Sequence, residues 1–88
     1  MLPFRLADVC RVEFYKRDEL TTDLVCCDIS LLGRAGANRV IFAYEEMPHW
    51  DELIQRLEFL GGFDVEWFSQ VSQPAFSKCR YEAFIRAG

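Results

Sequence analysis

From Cys10 the chain alternates with period two, Cys10, Val12 and Phe14 against Arg11, Glu13 and Tyr15. Alternation of this kind, built on β-branched and aromatic residues, predicts a strand with one buried face. A polar connection, Lys16–Asp23, follows. In Leu24–Leu31, Val25, Cys27, Ile29 and Leu31 share one face, and Cys26, Asp28 and Ser30 the other. Gly33–Asn38 is a turn by composition, because glycine and asparagine tolerate positive φ. Arg39–Tyr44 is a third strand with Val40, Phe42 and Tyr44 on one side. Three strands in succession, joined by short connections, favour an antiparallel meander.

The period then changes. Trp50, Leu53, Ile54, Leu57 and Leu60 make one stripe of an amphipathic helix, with Pro48 suited to its first turn and Gly61-Gly62 to its stop. Glu45, Glu46, Asp51 and Glu52 crowd the positive end of its dipole. Asp64 is placed to cap a second helix ending before Pro74, with Phe63 and Phe68 at the spacing of a hydrophobic staple. Cys79, Tyr81, Ala83 and Ile85 alternate with Arg80, Glu82, Phe84 and Arg86 in a last strand. The order β-β-β-α-α-β predicts an α+β fold: an antiparallel sheet of about four strands with helices packed on one face. Residues 1–88 read as a single domain.

Composition narrows the function. A chain of 88 residues exposes much of its surface, so its eight Phe, three Tyr and two Trp either fill a small core or cover a face shared with a second copy. A net charge of −4 argues against nucleic acid as a partner. No apolar run is long enough for a membrane span, and no secretory signal precedes Cys10, Cys26, Cys27 and Cys79. The expected compartment is a reducing cytoplasm, with free thiols. The cysteine spacing fits no metal motif, and adjacent Cys26 and Cys27 point to opposite faces of a strand. No cofactor is expected.

Candidate chemistry is sparse. His49 is the single histidine; on an exposed helix start it is either a solvated side chain or a base for a small enzyme using nearby carboxylates. The paired acids are accounted for by helix-end electrostatics, with a cation between Glu45 or Glu46 and Asp28 as the alternative. His49, Trp50, Trp67 and Phe68 are candidate ligand contacts in a pocket between helices and sheet, although such a stripe also makes an ordinary core. Eight of the ten basic residues are arginine, and arginine and aromatic residues are enriched at interface centres. Phe84 falls on the Arg80, Glu82 and Arg86 face, so it is either covered by another chain or a lone exposed ring. Tyr15 and Arg17, at the start of the polar connection, are a candidate recognition edge.

Gly61-Gly62-Phe63-Asp64, Trp67-Phe68, Val71 and Gln73-Pro74-Ala75-Phe76, together with Phe14–Leu20, resemble segments of a family of small uncharacterised bacterial proteins. The resemblance spans about half the chain and implies a bacterial cytosolic protein without supplying an activity. A more distant likeness is to bacterial pleckstrin-homology-like domains, from which the strand after the helices departs. The function expected is a non-catalytic interaction module, homodimeric or bound to another protein. A small-molecule carrier and a small enzyme built on His49 are the alternatives.

Overall fold

A computed structural model describes residues 4–18, 23–33, 38–71 and 80–86. A short 3-10 turn at Leu6–Asp8 leads into β1 (Val9–Asp18), followed by β2 (Asp23–Leu31), β3 (Arg39–Tyr44), α1 (Trp50–Leu57), α2 (Trp67–Val71) and β4 (Tyr81–Ile85). The four strands form one sheet in the order β3-β2-β1-β4, with every neighbouring pair antiparallel. This is the small α+β architecture expected from the alternating strands and the helical stripe. Cys79, Arg34 and Pro74 lie outside the described residues.

The core forms between one sheet face and the helices. Val12, Phe14, Val25, Cys27, Ile29 and Ala43 meet Leu53, Leu57, Leu60, Phe63, Trp67 and Val71 in one buried cluster. Phe14 is its centre. Trp67 stacks on its ring at 3.7 Å and 8°, while Trp50 and Phe63 meet it edge-on at 6.4 and 6.3 Å. Edge-on contacts suit the aromatic quadrupole.

Three local features depart from the pattern. Strand pairing between β1 and β2 runs on to Asp18 opposite Asp23, so Lys16 and Arg17 are strand residues. Register shifts between Val9 and Arg11, which takes Cys10 out of the core face; its thiol instead donates to the Ser30 carbonyl at 3.3 Å. The staple is not made. Phe63 turns to Phe14, and Phe68 is 53% exposed beside Trp67. Asp64 nevertheless binds the following turn, its carboxylate accepting the Glu66 N–H at 2.9 Å.

The largest correction concerns Phe84. β4 shifts register against β1 between Val12 and Glu13: Phe84 faces Val12, but Glu82 faces Glu13. Ala83 is the extra residue of a β-bulge, which resets the alternation. Phe84 therefore joins Tyr81 on the core face at 5% exposure, and Ile85 turns outward at 54%. Phe84 is neither covered by another chain nor a lone exposed ring.

α1 starts at Trp50, where its stripe begins, so Pro48 and His49 lie ahead of its first turn. His49 is its N-cap, with φ 67° and ψ 16°, and its side chain makes no capping bond. A left-handed conformation costs about 1–2 kcal/mol for a residue with a Cβ and nothing comparable for glycine. His49→Gly is therefore expected to raise stability by about 1 kcal/mol, less than the full strain because glycine also loosens the unfolded chain. Thermal and urea unfolding check this. α1 ends at Leu57, with Glu58 still in right-handed geometry, before the expected glycine stop; Gly62, at φ 89°, supplies a left-handed turn further on that leads to Phe63.

Candidate functional site

The outer face of the sheet, away from the helices, has two parts. Over β1, β2 and β4 it is a polar network centred on Asp28. Tyr15 Oη donates to Asp28 Oδ1 at 3.1 Å, and Arg80 donates to Asp28 Oδ2. The same guanidinium lies 4.2 Å from the Tyr15 ring centre and 3.9 Å from Glu13. Arg11 pairs with Glu82 at 3.3 Å. Arg86 is tied to the start of the chain, donating to the carbonyls of Val9 and Leu6.

The structure thus brings Tyr15 and Arg80 together, but around Asp28. Arg86 lies apart from them, and Arg17 is exposed near the far end of β1. The suggested cation between Asp28 and Glu45 or Glu46 has no support here, because Arg80 already occupies Asp28. One Glu45 carboxylate oxygen accepts the Val25 N–H at 2.9 Å.

The network perturbs its own tyrosine. Burial, followed by the charge of Asp28 and the hydrogen bond to it, pushes the Tyr15 hydroxyl up to about 12. The bond to Asp28 also raises Arg80 above its ordinary value. A raised folded pKa means that the folded state holds the proton more tightly. Stability from this source is full below the unfolded value of 10.0 and is lost as pH rises towards 12. Tyr15→Phe is expected to remove this alkaline component, checked by unfolding between about pH 9 and pH 12 and by tyrosinate absorbance.

The second part is apolar and lies on β3. Val40, Phe42 and Tyr44 are 62%, 44% and 37% exposed, and the rings of Phe42 and Tyr44 stack with centres 5.7 Å apart. Ile41 and Ala43 take the helix face instead. The sequence carried a signal for this strip. Val40-Ile41-Phe42-Ala43-Tyr44 is apolar at every position, so a strand at the sheet edge must leave one apolar face outside.

On the helix side, a groove of about 500 Å³ opens between β2, α1 and α2. Trp50, Trp67 and Phe68 line it, as their spacing suggested, together with the carboxylate residues Glu45, Asp51 and Glu58. His49 does not line it. Its side chain is 83% exposed, and its Nδ1 is 3.7 Å from Glu52. His49 thus stands apart from Trp50, Trp67 and Phe68, the residues it was grouped with.

Cys26 and Cys27 are both fully buried, on opposite faces of β2. Cys26 is flanked by Tyr15 and Tyr44 across the ladders, and burial, aided by nearby Asp28 and Cys26, drives the Cys27 thiol well above its ordinary value. These are packing thiols. Among the described residues, no three His, Cys, Asp or Glu side chains cluster to hold a metal, and no helix is long and apolar enough to cross a membrane.

Fold and site together define a small α+β domain whose sheet carries an exposed apolar edge. Compared with models of known protein families, with curated proteins and with solved structures, the chain matches none of them.

Proposed function

We propose that the chain is a non-catalytic interaction module that works as a homodimer. The observation that supports this is the strip of Val40, Phe42 and Tyr44, an exposed apolar row on an edge strand. Edge strands are ordinarily blunted by charge, proline or cover, and among the described residues this row carries none of them. The interface thus moves from the last strand, where the sequence pattern suggested it, to β3 at the opposite edge. Sedimentation velocity between about 5 and 200 µM tests the reading, since interfaces at the small end of the size range associate weakly. A concentration-dependent dimer supports it; a monomer throughout overturns it.

A second reading, a carrier for a small ligand, is favoured by one observation. The groove joins three aromatic side chains to three carboxylates and, among the described residues, is lined by no basic one. Aromatic faces and carboxylates both attract organic cations. The two tryptophans of the chain both line the groove, so their fluorescence reads occupancy directly. Saturable quenching by N-acetylarginine amide beyond that produced by matched sodium chloride supports this reading. Its absence removes it.

A further inference from the structure

The hydrogen-bond pattern of β3 specifies how a second copy joins. Glu45 donates its N–H to the Val25 carbonyl at 3.0 Å, and its carboxylate takes the Val25 N–H in return. Residues 25 and 45 thus stand as a bonded pair. Bonded and non-bonded pairs alternate along an antiparallel ladder. The pairs of the same type are Cys27 with Ala43, Ile29 with Ile41 and Leu31 with Arg39. Arg39, Ile41 and Ala43 therefore turn their main-chain groups towards β2, and Val40 and Phe42 turn theirs to the open side. Tyr44 is closed off within the chain: its carbonyl accepts the Met47 N–H at 3.1 Å, and its own N–H points at Met47 Sδ at 3.4 Å. Among the described residues of β3 the open edge is two residues long, carrying two N–H donors and two carbonyl acceptors.

We infer that β3 pairs antiparallel with β3 of a second copy about a two-fold axis at Ile41, joining two four-stranded sheets into one of eight strands. This rests on the homodimer reading and names its geometry. In this register Val40 of each copy lies opposite Phe42 of the other, so all four open groups of each edge are satisfied by four hydrogen bonds. Centring the axis on Phe42 would instead pair Val40 with Tyr44, whose main-chain groups already serve Met47. Val40 and Phe42 of the two copies then lie side by side on the outer face, a favourable β-branched–aromatic pairing.

The ends of β3 are oppositely charged, Arg39 at its start and Glu45 and Glu46 just past its end. Antiparallel pairing sets Arg39 of one copy opposite Ala43 and diagonal to Glu45 of the other. A diagonal spacing of roughly 7–8 Å is within reach of an arginine. Parallel pairing would set like charges together. Two-fold symmetry makes the arginine–carboxylate contact twice.

Three variants test the geometry by sedimentation. Val40→Pro removes an outward N–H and places proline where an edge strand tolerates it. It is expected to stay folded by circular dichroism and to become monomeric. Arg39→Glu is expected to weaken association about tenfold, because it reverses two contacts; Glu45→Arg also removes the bond to the Val25 N–H, so it is read in the double variant with Arg39→Glu, which is expected to restore association. If the unaltered chain is a monomer at 200 µM, both the homodimer reading and this geometry fail. A folded Val40→Pro variant that still dimerises overturns the edge pairing alone and points to another surface. Should Val40→Pro not fold, the charge pair decides: restoration in the double variant upholds the register, and unchanged association in Arg39→Glu overturns it.

Discussion

Phe14→Ala is expected to lower the unfolding free energy by about 3–5 kcal/mol, the range for deleting a buried aromatic side chain. Phe14 is fully buried, and its ring is the shared partner of Trp50, Phe63 and Trp67. Those partners come from α1, from α2 and from the turn between them, so the ring is what fastens the helical layer to the centre of the sheet. α2 has only five residues and cannot hold its own shape without that support. The void left by alanine is lined by large rings that cannot all move inward, which puts the effect at the upper end of the range. A small domain has about 5–15 kcal/mol in total, so this one change removes a large share. Urea unfolding followed by far-ultraviolet circular dichroism gives the magnitude. A red shift of tryptophan emission in the folded variant gives the cause. A loss below about 1 kcal/mol would mean that the helices are held elsewhere.

Phe84→Ala carries the next largest effect, about 3 kcal/mol, and it separates two accounts of the same residue. A ring at an interface between chains would leave monomer stability alone when removed and would abolish association. A ring 5% exposed and facing Val12 does the reverse. The expected result is a destabilised chain that still dimerises wherever it remains folded. Phe59→Ala is the control, since Phe59 is 79% exposed and its loss should change stability by no more than about 0.5 kcal/mol. Equal effects at the two positions would overturn the bulge at Ala83 as the cause of Phe84's burial.

The order of strands and helices was legible because each element had one dominant period. The α1 stripe shows why: Leu53, Leu57 and Leu60 are all buried, and Trp50 and Ile54 pack against the same cluster. Two strands, β1 at Cys10 and β4 at Ala83, were misread for a shared physical reason. Period-two counting assumes that every residue of a strand advances the alternation, and at Ala83 one does not. In β3 both faces are apolar, so the pattern assigns no side. Packing decides it, and small Ala43 fits under the helices while Phe42 and Tyr44 are left outside. His49 was placed one position too far into the helix because composition does not report φ. Trp50, Trp67 and Phe68 were found as a group because α1 and α2 present them to one groove. Arg80 and Tyr15 were singled out separately, and nothing in the sequence joined them, since Asp28 lies across the sheet and no local spacing announces it.

The strand order β3-β2-β1-β4 also bears on how the chain reaches its fold. β1 and β2 are neighbours in sequence, whereas Val12 must wait for Phe84, which lies 72 positions further on. Closing so long a loop is entropically slow. The early hairpin is therefore expected to form first, with the β1–β4 ladder completing last. Until then the chain has a second open strand edge, along β1 itself. During synthesis that edge stays bare until β4 has left the ribosome, and in that interval the nascent chain is most exposed to wrong pairing.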